Sequence, residues 1–408
     1  MFNKGKYVIL QLLLMLISPI TSFIVCLRFY KSTISQIFMI VFAFYFGMLM
    51  EVGNDLANHY NNMQLYYAGK SISEILRNPL IYGMGHDYFH VAVKIFVSRF
   101  SNSPAVFGGV LACIYGAIFL LFFREFSKFY KNFLPVSCGM ILLAMVMIVQ
   151  FYWYQGVRFW PGAFFFAAFI MKYVNTGKKI YILISFACVW FHFSLYTLVL
   201  AFFINWILDK FWVYLRYILF AISLIVRVIG IDLLSLAIKY IPYADIVVGN
   251  ARTNEDIYSK TLRFVEEFRE TANPFYHYRQ DIILLFGIFL MMLMWSRKVV
   301  FSKQYSILFF YGLTLFTIAN FGYTDFSFYT RFFKFSLVFF YSFLFVVAYQ
   351  NYDKIKGISL IIMIVAFVPL SYEFLTQLVE ERRAIFNTEL LFGNFFIDWH
   401  GGAMKRLY

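Results

Sequence analysis

Long apolar runs alternate with short charged connectors along most of the chain. A helix needs about 20 mostly apolar residues to cross a bilayer, and runs near this length recur throughout the sequence. Their pattern predicts about 12 transmembrane helices. We place these helices near residues 7–27, 35–50, 104–123, 133–154, 159–174, 180–195, 196–208, 212–229, 281–295, 305–321, 332–349 and 358–375.

The charged connectors carry lysine and arginine at every second turn. Positively charged loops of membrane proteins face the cytoplasm, which gives these connectors a cytoplasmic location. Lys4 and Lys6 favour a cytoplasmic start, but the later connectors outweigh them. The basic connectors contain Arg28 and Lys31; Arg124, Lys128 and Lys131; Lys178 and Lys179; Lys210 and Arg216; Arg297, Lys298 and Lys303; and Lys354 and Lys356.

The remaining polar segments are then predicted to lie on the outer side. They are a first outer loop at residues 51–103, a large outer loop at 230–280 and a tail at 376–408. Both termini would be outside. This phasing requires that the apolar stretch 80–100, which is interrupted by charged residues, does not cross the bilayer. We predict an interfacial or re-entrant helix there.

Composition narrows the class of protein. Of the 408 residues, 62% are hydrophobic and 14% are charged, against about 45–50% and about 25% in soluble domains. Such content excludes a soluble globule. Unbroken apolar runs such as 358–370 exclude a β-barrel, whose strands alternate in polarity. We therefore predict an all-α, polytopic integral membrane protein that forms a single membrane domain over residues 1–408.

Several other chemistries have no signal in the sequence. It contains no glycine-rich nucleotide-binding loop, and no predicted cytoplasmic segment is long enough to fold a domain. The four cysteines all fall within apolar runs, which indicates small buried hydrophobic residues and no disulfide framework or metal set. We expect no cofactor, no metal and no nucleic-acid partner.

Three basic residues stand at predicted span ends on the outer side. Arg158 follows a glycine-containing turn, Arg331 begins a span, and His192 lies near the outer turn of a short apolar hairpin. Charges at a bilayer are costly and often functional, and paired guanidinium groups suit a diphosphate. Two ordinary interpretations compete with this one. An arginine at a span end can reach lipid phosphates, and a histidine in an apolar hairpin can be a core hydrogen-bonding group.

The first outer loop adds further candidates. Asp55 follows the second span directly and is either a helix cap or a site carboxylate. His86 and His90 are four residues apart, a spacing that can bind zinc. Together with Asp87 they supply only two nitrogens and one oxygen, and an amphipathic surface helix is the preferred interpretation.

The order of several short motifs resembles the EpsG branch of Wzy-type polysaccharide polymerases. The resemblance covers about residues 42–203 and a late arginine segment. The tyrosine that often follows the motif aspartate by four residues is His59 here, with Tyr60 next. The motifs are Gly53-Asn54-Asp55-Leu56 with His59-Tyr60, Asn78-Pro79 to Asp87-Tyr88-Phe89, Gly156-Val157-Arg158, His192-Phe193-Ser194 and Arg331-Phe332-Phe333.

The resemblance implies a polymerase for O-antigen, capsule or exopolysaccharide, with a GT-C-like architecture. It would transfer a glycan from undecaprenyl diphosphate to the sugar end of another lipid-linked repeat unit, at the outer face of the bacterial inner membrane. A chain-length regulator would be a further partner. Expected catalytic residues are His192, the first choice as general base, and Asp55. Expected substrate-binding residues are Arg158, Arg331, Asp87, Tyr60 and Lys334.

Three other functions remain open at this point. A flippase or transporter of lipid-linked glycans would need charges through the whole membrane depth, whereas the strong charges here gather at one predicted face. An O-antigen ligase would share the arginines and differ only in its acceptor. A membrane-bound O-acyltransferase is suggested by Trp399-His400-Gly401, but only a few residues follow that histidine.

Overall fold

The computed structural model describes residues 4–49, 54–77, 88–130, 134–148, 158–229, 274–323 and 325–380. Within these ranges the chain is helical and contains no β-strand, which confirms the all-α class. Short 3-10 turns lie at Ser127–Phe129, Ala187–Trp190, Phe193–Leu195 and Lys356–Ile358. The α-helices are α1 (Lys4–Ile17), α2 (Pro19–Arg28), α3 (Thr33–Leu49), α4 (Asn54–Tyr66), α5 (Ile72–Arg77), α6 (Tyr88–Val97), α7 (Pro104–Phe126), α8 (Val136–Ile148), α9 (Phe159–Thr176), α10 (Ile180–Phe186), α11 (Tyr196–Phe211), α12 (Val213–Ile229), α13 (Pro274–Ser296), α14 (Lys303–Phe321), α15 (Phe326–Gln350), α16 (Tyr352–Ile355) and α17 (Ser359–Glu380).

The chain forms two compact units. The first unit contains α1–α7, α9 and α10, and the second contains α8, α11–α16 and most of α17. A single membrane domain stays a prediction, as do the outer positions of the two long loops and the tail. Residues 230–273 and 381–408, which make up most of the large loop and the tail, lie outside the described residues.

Among the described residues, three helical stretches are long and apolar enough to cross a bilayer. They give the chain the character of a membrane protein. The number of about 12 spans and the GT-C-like architecture stay predictions, because the other described helices do not combine the required length and hydropathy. The three stretches are Pro104–Phe129, Phe193–Phe211 and Phe328–Gln350.

The prediction of one span over residues 7–27 is wrong. Helix α1 ends at Ile17, Ser18 has an extended backbone, and α2 begins at Pro19. Proline suits the first position of a helix, where its missing N–H needs no partner, but it cannot continue one. The apolar sequence pattern therefore continues across Ser18, although the helix is interrupted there.

Helices α1 and α2 fold back on each other as a hairpin. The rings of Tyr7, near the start of α1, and Phe29, just after α2, lie 5.3 Å apart in an edge-to-face contact. Inside the hairpin, the buried hydroxyl of Ser22 donates to the side-chain oxygen of Gln11 at 2.7 Å. The two ends of the hairpin thus lie together in the first unit.

Small residues bring α3 and α7 close together in the core of the first unit. A Cβ atom at Gly47 would lie 2.6 Å from the carbonyl oxygen of Gly108 and would also overlap the Cβ of Ala112. Close approach through small residues is a usual way for membrane helices to pack. Helix α9 also packs against α7, where the rings of Phe122 and Phe164 are 5.5 Å apart.

The stretch predicted as a span at 180–195 is not one continuous helix. Helix α10 has seven residues and ends at Phe186, and 3-10 turns follow as far as Leu195. This break places His192 in a turn between α10 and α11.

The second unit is built around α15. Its side chains from Phe332 to Val347 are mostly buried, and it packs against α14, where the rings of Tyr311 and Phe339 are 4.8 Å apart. The hydroxyl of Tyr341 also donates to the carbonyl of Ile283 on α13 at 2.8 Å. A helix that is apolar all round is a buried helix, and α15 fits that rule.

Candidate functional site

Two histidines lie side by side in the first unit. His59 comes from α4, a polar helix, and His90 comes from α6, a ten-residue apolar helix. Each side chain is 7% exposed, and the ring centroids are 5.0 Å apart. Helix α6 is about 15 Å long at 1.5 Å per residue and is too short to cross a hydrocarbon core of about 30 Å. Its interfacial position stays a prediction.

Two cations accompany the histidines. Lys94 follows His90 by four residues, which places it on the same face of α6, and it is only 3% exposed. Its ammonium nitrogen is 5.6 Å from the ring centroid of Tyr67. Arg158 precedes α9 and is half-buried. Both cations are close enough to act electrostatically on both imidazoles.

Burial and the neighbouring cations keep both imidazoles neutral. Burial lowers the pKa of His59 to about 3, with smaller contributions from the charges of Lys94 and Arg158. Burial also lowers the pKa of His90 to about 2, and Lys94, His59, Arg158 and His192 contribute in that order. Both causes act against the charged form of a histidine. At neutral pH these rings therefore carry no charge.

Stacked phenylalanines bring the turn that contains His192 to the same place. The rings of Phe89 and Phe191 are stacked with centroids 4.5 Å apart. Phe89 directly precedes His90, and Phe191 directly precedes His192. The stacking explains how residues about a hundred positions apart in the sequence meet in one unit.

A glycine of α9 lets the turn lie directly on that helix. A Cβ atom at Gly162 would lie 2.7 Å from the Cβ of Phe191 and would also overlap the side chain of Leu195. Protein interiors are close-packed and do not absorb such overlaps without movement. Gly162 therefore sets the position of the turn, and with it the position of His192.

Hydrogen bonds fix the tautomer of His192. Its side chain is 6% exposed. The backbone N–H of Ser194 donates to Nδ1 at 3.0 Å, and the hydroxyl of Ser194 lies 2.7 Å from the same atom. Because Nδ1 accepts a hydrogen bond, the proton of the neutral ring is on Nε2. In this state His192 is a hydrogen-bond donor through Nε2.

The first unit therefore brings together two of the residues predicted from sequence, Arg158 and His192. Tyr60 lies on α4 beside His59, and its hydroxyl donates to the carbonyl of Asn102 at 2.9 Å. Asp55 is the second residue of α4, and its side chain is outside the description, as are His86 and Asp87 altogether.

Arg331 and Lys334 lie on α15 in the second unit and are half-buried. One helical turn apart, they occupy the same face of α15. The helix begins at an N-cap aspartate, Asp325, whose carboxylate accepts from the backbone N–H of Phe328 at 3.0 Å. This cap fixes the first turn of the helix just before Arg331.

The sequence reasoning missed Lys94 and the pairing of His59 with His90. Lys94 is one of the charged residues that interrupt the apolar stretch 80–100, and its spacing of four from His90 is a usable signal. In the sequence His59 stands out only as a departure from the family motif. Among the residues that the structure describes, no group of three or more His, Cys, Asp or Glu side chains could hold a metal ion.

Comparisons with known proteins add no relative to this description. No protein-family model matches the chain. No curated protein and no solved structure matches it either. The resemblance to the EpsG branch of Wzy-type polymerases thus depends on the sequence motifs alone.

Proposed function

We propose that this chain is a polysaccharide polymerase that transfers a glycan from undecaprenyl diphosphate to the sugar end of another lipid-linked repeat unit. The observation that carries the proposal is the meeting of Arg158 and His192 in one unit, since both belong to the ordered motifs. The buried Lys94 beside them supports it. The reaction would occur at the outer face of a bacterial inner membrane, in a multi-pass protein that works with a chain-length regulator.

The chemistry assigns a role to each group. The bond between the anomeric carbon of the donor glycan and the diphosphate oxygen breaks, and its electron pair leaves with the diphosphate. Arg158 stabilises this departing charge. The acceptor hydroxyl oxygen forms the new bond to the anomeric carbon, and its proton goes to a general base. Asp55 is the carboxylate proposed as this base.

His192 takes a different role from the one expected. The hydrogen bond at Nδ1 leaves Nε2–H as a donor, and such a donor suits an oxygen of the glycan or of the diphosphate. The role of His192 as general base stays a prediction. The alternative role is that of a hydrogen-bond donor to the substrate. Arg331 and Lys334 are proposed as substrate-binding residues of the second unit.

The function is tested by polymer length on a gel, in cells whose only copy of the gene carries a variant. Arg158→Ala should reduce polymer about 10²-fold to 10³-fold, the usual cost of removing one group that stabilises transition-state charge. Arg158→Lys should lose most activity too, because lysine lacks the two-pronged guanidinium. Arg28→Ala, at the exposed end of α2, is the matched control and should leave polymer unchanged.

Full-length polymer from Arg158→Ala at normal protein levels would contradict the proposal. A loss of polymer accompanied by repeat units trapped on the inner side would favour a flippase instead. In wild-type cells the repeat units should reach the outer side, and in Arg158→Ala cells they should accumulate there unpolymerised.

The two roles of His192 are separated by two substitutions. Glutamine places an amide N–H near the position of Nε2–H and cannot act as a base, whereas alanine removes both functions. We expect His192→Ala to lose almost all activity, whereas His192→Gln should keep about a tenth or more of the wild-type activity. Equal and complete loss in both variants, with lipid-substrate binding intact, would return the base role to His192.

A further inference from the structure

A cavity of about 210 Å³ lies among four helices of the second unit, α12 to α15. Tyr217 and Ser336 are its only lining residues with a polar side chain, and the hydroxyl of Ser336 donates to the carbonyl of Phe333 at 2.6 Å. An apolar cavity of about 150 Å³ stays dry and can bind a ligand the size of benzene, so this one holds about eight carbon atoms in proportion. Its apolar walls include Phe220, Leu284, Met291, Phe316, Leu337 and Phe340.

The cavity is open on one side. Helix α12 packs on α14, α14 packs on α15, and α15 packs on α13, but within the described residues α12 and α13 do not pack along each other. An ion pair between Arg227 and Asp281 links these two helices at one end. On the open side, Tyr217 of α12 is 46% exposed and Leu284 of α13 is half-buried. A bound chain that is longer than the cavity can therefore extend between α12 and α13.

One end of the cavity carries a polar pair of residues. Phe220 of α12 and Phe316 of α14 line the cavity with rings whose centroids are 5.4 Å apart. Ser223 comes three residues after the first ring and Asn320 four residues after the second, so each polar residue shares a helix face with a lining ring. Both polar side chains are fully buried, and Nδ2 of Asn320 donates to Oγ of Ser223 at 3.2 Å. The pair lies one turn nearer than the rings to the ion pair that links α12 and α13.

The side-chain oxygen of Asn320 has no hydrogen-bond donor in the described part of the chain. Ser223 does not supply one, because its hydroxyl donates to the carbonyl of Phe220 at 2.7 Å. A buried acceptor in this state is costly unless a ligand or a water donates to it. The oxygen therefore marks a place for a donor group at the end of an otherwise apolar cavity.

We propose that this cavity binds a membrane-soluble alcohol, whose hydroxyl donates to Oδ1 of Asn320 and whose hydrocarbon chain fills the space between α12 and α15. The ligand class is an apolar chain of about eight carbons or more that ends in a neutral hydroxyl group. The site lies apart from the groups assigned to glycan transfer, and the proposal does not depend on the proposed function.

The charges near the polar end favour a neutral ligand over an anionic one. Arg227 is the cation at this end, and both of its terminal nitrogens donate to the carboxylate of Asp281. The ion pair is balanced in charge, so a carboxylate on the ligand would be buried without a counter-charge, which is costly. A hydroxyl satisfies the oxygen of Asn320 without bringing a charge into the cavity.

The proposal is tested with the purified full-length protein in detergent and a photoreactive octanol that carries a diazirine on its chain. Light makes this probe insert into the side chains that surround it, and mass spectrometry of peptides identifies the labelled residues. Unlabelled 1-octanol, octane and octanoate then compete with the probe at equal mole fractions in the micelle. These three competitors differ only at one end of the chain, so their relative potency measures what that end contributes.

We expect label on lining residues of the cavity and protection by 1-octanol at about fivefold to tenfold lower mole fraction than octane, because of one hydrogen bond to a buried amide. Octanoate should protect least. Asn320→Leu should bring the potencies of 1-octanol and octane close to each other. Asn205→Leu is the matched control and should keep them apart, because Asn205 of α11 is also buried, its Oδ1 has no partner among the described residues, and it does not line the cavity.

Two further variants fill the cavity. Leu284→Trp and Leu313→Trp enlarge half-buried lining residues, and each should abolish the label on the other lining residues. The thermal transition of each variant checks its folding, and one stable variant suffices.

Label that persists in a folded tryptophan variant would overturn the cavity as the binding site, as would wild-type label found only elsewhere. Equal potency of 1-octanol and octane on the wild-type protein would overturn the role of Asn320. Octanoate that protects as well as 1-octanol would overturn the preference for a neutral ligand. None of these measurements involves polymer formation, so their outcome is separate from that of the polymerase test.

Discussion

The two units surround their inner cations with different groups. In the second unit, Arg227 at the end of α12 donates from Nη1 to Oδ1 of Asp281 at 2.7 Å and from Nη2 to Oδ2. The guanidinium carbon also lies 5.2 Å from the ring centroid of Tyr323 and 5.1 Å from that of Tyr329. In the first unit, Lys94 and Arg158 lie beside neutral imidazoles.

The partners of Arg227 give it a structural role. A bidentate carboxylate and an aromatic enclosure satisfy Arg227 within the unit, and the pair ties α12 to α13. Lys94 and Arg158 act electrostatically on the imidazoles of His59 and His90 and lower the pKa of both rings.

The strongest way to break the comparison is to remove Arg227. Arg227→Met should lower the free energy of unfolding by about 2 kcal/mol, because it leaves the half-buried carboxylate of Asp281 without its two charged hydrogen bonds. The double variant Arg227→Met/Asp281→Leu should recover most of that loss, since a buried ion pair can be replaced by apolar residues at little cost. Thermal unfolding in detergent, followed by tryptophan fluorescence, gives both values.

The exposed ion pair between Lys70 and Glu74 is the control for the loss of a charged side chain alone. Lys70 and Glu74 are 2.9 Å apart and their side chains are 45% and 42% exposed. Breaking this pair with Lys70→Ala should change stability by less than about 0.5 kcal/mol. An equal effect from Lys70→Ala and Arg227→Met would remove the structural role assigned to Arg227.

A smaller effect is expected from the turn that holds His192. Gly162→Ala should destabilise the first unit by about 1–2 kcal/mol through overlap with Phe191. Because the turn moves, polymer formation should fall as well. In Gly139→Ala the new Cβ would meet nothing nearer than 3.7 Å, so this control in α8 should be neutral or stabilising. Unchanged stability and activity in Gly162→Ala would show that the turn does not depend on this contact.

The smallest effect on stability, and one of opposite sign, is expected from Lys94. Lys94→Met removes a buried ammonium from the neighbourhood of another cation, so the melting temperature should stay the same or rise, by less than about 1 kcal/mol in free energy. Polymer formation should nevertheless decrease. A loss of stability as large as that of Arg227→Met would make Lys94 a structural residue and end the contrast between the units.

Apolar periodicity predicted the all-α class and the membrane character well, because burial in lipid or protein requires the same long apolar runs. It failed at the first span, where only Ser18 and Pro19 mark the break between two helices. It also treated 180–195 as a helix, although 3-10 turns occupy its second half. Local backbone breaks of this kind leave hydropathy unchanged.

The site was predictable only in part for a related reason. Arg158 and His192 were found because each is a lone polar residue in an apolar setting. The pairing of His59 with His90 depends on how α4 and α6 pack, which is a tertiary contact that no spacing along one helix encodes.

Cys26, Cys138 and Cys188 are buried and free, as expected of small apolar side chains, while Cys113 is half-buried.

The α1–α2 hairpin changes the predicted number of bilayer crossings by one. Because Tyr7 and Phe29 touch, a segment counted as one crossing returns to the end at which it began. Lys6 then shares that end with Arg28 and Lys31, so the positive-inside rule assigns all three to one side. The apparent conflict between the basic start of the chain and its later basic connectors disappears. An epitope fused before α1 is expected to be inaccessible from outside intact cells.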